Sequence, residues 1–167
     1  EAGRARLAKS LDRGVNSRKL TEEQRDAALA QVHYGVDLAE FADRQLVIEA
    51  IVEDEAAKVA VFQRLDEVTD PTAVLASNTS SIPIMKLGTA TNRPEQVVGI
   101  HFFNPVPVLR LVELVTSLMT SATTIAAAER FAVETLDKKV IRSQDRAGFV
   151  VNYLLIPYLL SAIRMLE

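Results

Sequence analysis

The residues of this sequence best placed to do chemistry are His101 and Glu113. They lie in VVGIHFFNPVPVLRLVELV, residues 97–115, where two apolar runs rich in β-branched residues flank a turn built on Asn104, Pro105 and Pro107. That pattern predicts two short strands joined by a constrained connection. If the chain folds back about Pro107, residues equidistant from it face each other, and His101 and Glu113 are each six positions away. An imidazole would then meet a carboxylate in an apolar setting. The carboxylate can fix the ring tautomer and stabilise the imidazolium formed when the ring takes a proton, which is the working half of a general base. The same spacing also fits a core histidine satisfied by a carbonyl, beside an edge-strand glutamate.

Other candidates are scattered along the chain. Glu49 and Glu53 are charges inside the apolar run QLVIEAIVE, residues 45–53. The SNTSS segment, residues 77–81, gathers hydroxyls and an amide behind a second apolar run, although Ser80 or Ser81 there fits a helix cap equally well. Arg18 and Lys19 form a basic pair that reads as solvated surface or as a phosphate contact. His33, the other of the two histidines, reads as structural or exposed. With no cysteine and no ligand spacing around the histidines, the sequence predicts neither a disulfide nor a metal centre.

These residues need elements to hold them. Helical spacing predicts a helix from Ala2 to about Arg13 with Gly14 as its stop, and the TEEQ capping box predicts a second from Thr21 through Ala30. A short strand is expected over 31–36 and a helical turn over 38–41. Residues 45–53 read as a buried parallel strand, 54–68 as an amphipathic helix, 72–76 as a second strand and 82–87 as a short helix leading to the strand at Val97. Beyond Glu113 the pattern predicts a helix over 121–136, with Ile125, Ala128, Phe131, Ala132 and Leu136 inward, and an edge strand over 140–142. The last helix spans 149–166, apolar on all sides and so expected to bury itself against a further domain or subunit.

Alternation of strand and helix is the signature of an α/β parallel sheet. Such sheets do their chemistry outside the carboxyl ends of the strands. Glu53, the SNTSS cluster and His101 fall after three successive strands, which favours function over structure for them.

Composition narrows the classes. With 167 residues, 49% of them hydrophobic, the chain can bury a substantial core. A net charge of −3 from well-mixed residues points to neither a nucleic-acid nor a membrane-surface partner, and a charged, helix-prone start predicts no signal sequence and hence a cytoplasmic protein. Internal repeats are absent. The six glycines form no GxGxxG, so the sequence reads as an α/β sheet whose first βαβ unit is lacking.

Four segments carry a resemblance: VIEAIVED at 47–54, ASNTSSIPI at 76–84, GIHFFNPVPVLRLVEL at 99–114, and DRAGFVVNYLLIPYLLSAIRMLE at the end. Together they resemble the L-3-hydroxyacyl-CoA dehydrogenase family, and its bacterial 3-hydroxybutyryl-CoA branch most. The resemblance implies a partial Rossmann-like NAD-binding domain over 1–146, then, over 147–167, the first helix of an all-α C-terminal domain through which the protein forms a homodimer. It also implies interconversion of a 3-hydroxyacyl-CoA and its 3-ketoacyl-CoA with NAD. By the same likeness His101 is the general base, Glu113 its orienting partner, Ser80 a hydrogen-bond donor to the reacting oxygen, and Asn152 the residue completing the substrate site. Ala50, Ile51, Glu53, Lys58, Ser80 and Asn104 would line the NAD site, while Ser10, Arg18 and Lys19 match the CoA-binding positions. Asp137 and Tyr153 depart from the family pattern, which commonly has glycine and arginine there. Members also begin with a Gly-rich unit and continue with a longer helical domain, so the resemblance implies a fragment of a longer enzyme. Two alternatives stay open: a non-catalytic or truncated relative that keeps the fold without cofactor binding, and an NADP-dependent reductase of another hydroxy acid.

Overall fold

A computed structural model describes residues 1–166, which divide into two compact units, Glu1–Asp37 and Leu38 onward. The first is a helical hairpin of α1 (Ala2–Asn16) and α2 (Glu22–Ala30). The Thr21 side chain accepts the Gln24 N–H, and the Gln24 side chain returns the bond to the Thr21 N–H, the reciprocal capping read from TEEQ. Gly14, expected to stop α1, lies inside it. A Cβ at that position would sit 2.8 Å from Leu20 Cδ1, so the glycine serves close approach of the turn, not termination. Arg18, at φ 58°, makes the actual reversal. The strand expected over 31–36 does not form, because this unit holds no second strand with which it could build a ladder.

The second unit is a five-stranded sheet in the order β1-β2-β3-β4-β5, made of β1 (Leu46–Glu49), β2 (Val74–Ser77), β3 (Val97–Phe102), β4 (Leu111–Thr116) and β5 (Lys139–Gln144). β1, β2 and β3 are parallel, β3 and β4 antiparallel, and β4 and β5 parallel. β1 is shorter than the expected 45–53: at its end the Glu49 carboxylate captures the Ile51 N–H, turning the chain out of the ladder. β2 ends one residue later than expected, at Ser77. His101, placed by the sequence pattern beyond its strand, lies within β3.

Successive side chains alternate across a strand, and directly paired residues share a face. The pairs Glu49↔Ser77, Ser77↔Gly99 and His101↔Glu113 therefore put all five residues on one face. The same face continues away from them as the apolar row Val47, Leu75, Val97 and Val115. Phe62 and Leu65 of α3 (Glu55–Val68) and Ile84 and Leu87 of α4 (Ile84–Thr89) cover that row. The opposite face, with Val98, Ile100, Val112 and Leu114, takes Ala128 of α5 (Ala122–Arg130). One face is thus apolar for most of its length and polar at the end where β1 to β3 finish.

Gly99 lets this face close. A Cβ there would approach Val115 Cβ to 2.8 Å and Ile84 Cδ1 to 2.9 Å. Gly99→Ala is expected to cost about 1–3 kcal/mol by overpacking. Denaturant unfolding reads this directly, and an unchanged midpoint would mean that Ile84 moves aside freely.

α5 does not run regularly to Leu136: its last turn, Phe131–Thr135, is a π-helix closed by Leu136 N–H to Phe131 C=O at 3.2 Å. The extra residue in that turn rotates Leu136 off the apolar stripe, which leaves it exposed where the sequence pattern put it inward. α6 (Val151–Arg164) buries none of its residues within this chain. Leu154, Ile156, Leu159 and Ile163 are all exposed on it. No helix among the described residues is long and apolar enough to cross a membrane.

Candidate functional site

The antiparallel register of β3 and β4 sets His101 opposite Glu113, and His101 Nδ1 lies 2.7 Å from Glu113 Oε2. Both side chains are buried. Glu113 Oε1 accepts the N–H groups of Val150 and Val151, each at 2.9 Å, at the start of α6. These are among the donors a helix start leaves unsatisfied, and a carboxylate there also meets the positive end of the helix dipole. Glu113 thus accepts through both oxygens, so the ring presents Nδ1–H to it and leaves Nε2 as the basic nitrogen. The rings of Phe103 and Phe149, 4.6 and 5.7 Å from the imidazole by centroids, complete the apolar surround.

The segment DRAGFV makes this anchoring achievable. Gly148 and Phe149 both have positive φ, 76° and 51°, and this sharp turn aims the first N–H groups of α6 at Glu113. Asn152 comes directly after Val151 and is half-buried. Asp145, just before the turn, caps α4 by accepting Ile84 N–H at 2.9 Å and Met85 N–H at 2.7 Å.

Ser80 is held beside β3 by its own loop. Asn78 Oδ1 accepts the N–H of Phe102, the residue after His101, at 2.8 Å. The loop then wraps around Glu53, whose Oε1 takes Thr79 Oγ1 at 2.6 Å, Ser80 N–H at 2.8 Å, and Ser81 N–H and Oγ at 3.1 Å. The Ser80 hydroxyl reaches the same oxygen at 3.3 Å. Since a carboxylate oxygen offers two lone pairs, the longest of these bonds is the one most cheaply given up, and the Ser80 hydroxyl is free to turn to another acceptor.

Burial pushes the Glu53 carboxyl up, but hydrogen bonds from Thr79, Ser80 and Ser81 together with the Lys58 charge outweigh it and hold the group near 2, against an ordinary 4.5. A depressed carboxylate contributes stability that is present above the ordinary value and lost as pH falls toward the folded one. The gap is worth about 3 kcal/mol unscreened. Because the side chain is 38% exposed, solvent screening leaves about 1–2 kcal/mol. Urea midpoints of the parent should therefore fall between about pH 5 and pH 2 more steeply than those of Glu53→Gln, and equal slopes would assign the acid sensitivity to other groups.

Lys58 lies beneath this loop with its side chain only 1% exposed, its ammonium 2.6 Å from Glu49 Oε1 and 3.3 Å from Glu53 Oε2. Ala50, Ile51 and Val52 form the exposed chain between the two glutamates. Asn104 is exposed in the connection between β3 and β4 and precedes a cis Pro105. That connection is pinned at its far end by Lys138, which donates to the carbonyls of Val106 at 2.5 Å and Leu109 at 2.8 Å.

Of the sequence candidates, His101, Glu113, Glu53, Lys58 and Ser80 are thus connected to the ends of β1 to β4, and Asn152 adjoins the Glu113 anchor. Ser10, Arg18 and Lys19 belong to the hairpin unit, where Ser10 is half-buried in α1 and the basic pair is exposed in the turn. Sequence reasoning placed Ser77 and Thr79 in the SNTSS cluster without separate roles and passed over Phe103. It singled out Glu49 for its charge but could not name its partners. Among the described residues no group of three His, Cys, Asp or Glu could hold a metal ion.

A family model for the NAD binding domain of 3-hydroxyacyl-CoA dehydrogenase matches residues 1–146. The 3-hydroxybutyryl-CoA dehydrogenase of Mycobacterium tuberculosis is 60% identical over 167 residues, covering 99% of this chain and 58% of that protein. The crystal structure of M. tuberculosis FadB2 superposes with a TM-score of 0.97 at 60% identity, over 99% of this chain and 59% of that one. That of (S)-3-hydroxybutyryl-CoA dehydrogenase PaaH1 from Ralstonia eutropha gives a TM-score of 0.89 at 41% identity, over 93% of this chain and 54% of that one. The chain spans between a half and three fifths of the length of these relatives. With the domain match extending over most of its residues, the chain belongs to the 3-hydroxyacyl-CoA dehydrogenase family and carries that family's NAD-binding domain.

Proposed function

We propose that the protein to which this chain belongs interconverts (S)-3-hydroxyacyl-CoA, with 3-hydroxybutyryl-CoA as the favoured substrate, and the 3-ketoacyl-CoA. The observation that carries the reading is the 2.7 Å pair of His101 Nδ1 and Glu113 Oε2, with the other Glu113 oxygen fixed by two backbone N–H groups. His101 Nε2 removes the proton of the C3 hydroxyl, and Glu113 stabilises the imidazolium that results. The Ser80 hydroxyl, turned from Glu53, and the Asn152 amide donate to the oxygen as it becomes a carbonyl. In the reverse direction the imidazolium returns the proton.

The residues present fit a nicotinamide dinucleotide. Exposed apolar Ile51 and Val52 beside small Ala50 offer a surface for a flat ring, and the Asn104 amide presents both a donor and an acceptor, as a carboxamide requires. Glu53 and Lys58 support this surface from below. NAD, when bound, supplies the hydride acceptor for C3. Ser10, Arg18 and Lys19 supply the CoA contacts, the two cations meeting its phosphates. Residues 147–167 begin the helical domain, and the exposed apolar face of α6 is covered by it and by a second copy of the chain.

The test is oxidation of NADH by the full chain when acetoacetyl-CoA is added. Turnover with NADH supports the reading. NADH binding without turnover would favour a non-catalytic relative, and turnover with NADPH alone would favour the reductase alternative.

A further inference from the structure

Glu49 is the last residue of β1, and its side chain is 1% exposed. A buried carboxylate is costly unless every acceptor site is used, and here both oxygens are. Oε1 takes the Lys58 ammonium and the Ile51 N–H, each at 2.6 Å, while Oε2 takes the Ser77 hydroxyl at 2.6 Å. The three donors come from α3, from the loop after β1 and from the end of β2.

Two branches leave this carboxylate and reach the same loop. Ser77 Oγ accepts the Thr79 N–H at 3.1 Å. Lys58 passes the other branch on to Glu53 Oε2, and the second Glu53 oxygen is where Thr79, Ser80 and Ser81 converge. The Glu49 backbone C=O adds a bond from Asn78 N–H at 2.9 Å. Glu49 itself is walled off from solvent, so whatever it does is done through these neighbours.

We propose that Glu49 is a positioning residue for the hydride-transfer site, setting at once the loop 50–53 that forms the cofactor surface and the loop 79–81 that carries Ser80. The role rests on the functional reading above. Its charge matters as well as its shape, because Lys58 is a single cation between two carboxylates. With Glu49 neutral, the ammonium has one carboxylate left and is drawn to Glu53, which shifts the oxygen that organises residues 79–81. Ile51 loses its short charge-assisted bond at the same time.

The test is Glu49→Gln in the full chain, read by NADH fluorescence titration, by steady-state kinetics with acetoacetyl-CoA and by amide hydrogen exchange. The Kd and KM for NADH are expected to rise roughly tenfold, with faster exchange at Ile51 and Thr79. The KM for acetoacetyl-CoA should stay within about twofold while kcat falls, because residues 79–81 carry Ser80. A merely structural role lowers the amount of active protein and leaves Kd and KM unmoved, so a Kd within twofold of the parent overturns the proposal. Should Glu49→Gln fail to fold, Ser77→Ala removes one branch alone and must speed exchange at Thr79; unchanged exchange there overturns the proposal. A parent that does not turn over acetoacetyl-CoA sinks the functional reading, while the exchange measurements still judge the role of Glu49.

Discussion

His101→Gln is expected to lower kcat by about 10²–10⁴ while the Kd for NADH stays within about twofold of the parent. Glutamine is the informative substitution because its amide can still donate to Glu113 Oε2. A buried carboxylate left without that partner would bring its own penalty, and alanine would add a cavity beneath Phe103 and Phe149. What glutamine lacks is a basic lone pair. The loss should therefore fall on the proton-transfer step and leave the surface at residues 50–53 intact. Steady-state turnover of acetoacetyl-CoA and a fluorescence titration separate the two quantities. Turnover within about tenfold of the parent would remove His101 as the base.

The β3–β4 register was legible in the sequence because two apolar runs and a proline turn leave little freedom, and folding about Pro107 put His101 against Glu113 as observed. The TEEQ capping box was legible because every partner lies within one turn. Illegible features depend on residues distant in sequence. β1 stops at Glu49 where its carboxylate captures the Ile51 N–H, and that carboxylate is held in place by Lys58 and by Ser77, the latter 28 positions away. Asp145 caps α4 across 61 positions, and Val150 meets Glu113 across 37. A charge inside an apolar run did flag Glu49, since a buried carboxylate must be paired, but only packing names the partner. Gly14 misled for a related reason: a glycine marks either a helix end or a close approach, and Leu20 decided which.

Glu113→Gln should be nearly as damaging to kcat as loss of His101, about 10²–10⁴, although the protein keeps a side chain of the same shape. The glutamine carbonyl can still accept the Val150 and Val151 N–H groups, so the start of α6 stays anchored. That choice turns the amide NH₂ toward His101 Nδ1, which must then accept. The ring proton moves to Nε2, and the nitrogen meant to take the substrate proton no longer has a free lone pair. Two variants that disable one proton transfer should not add, so the His101→Gln, Glu113→Gln double variant is expected to be no slower than either alone by more than about tenfold. Glu113→Ala differs, because it also strips the acceptor from both N–H groups and should lower stability by about 2–6 kcal/mol, about 1–3 for each donor left unsatisfied. Comparing the variants separates tautomer control from anchoring. If Glu113→Gln kept kcat within about tenfold while Glu113→Ala lost stability, Glu113 would be a helix anchor alone and the imidazole would need another partner to fix its tautomer.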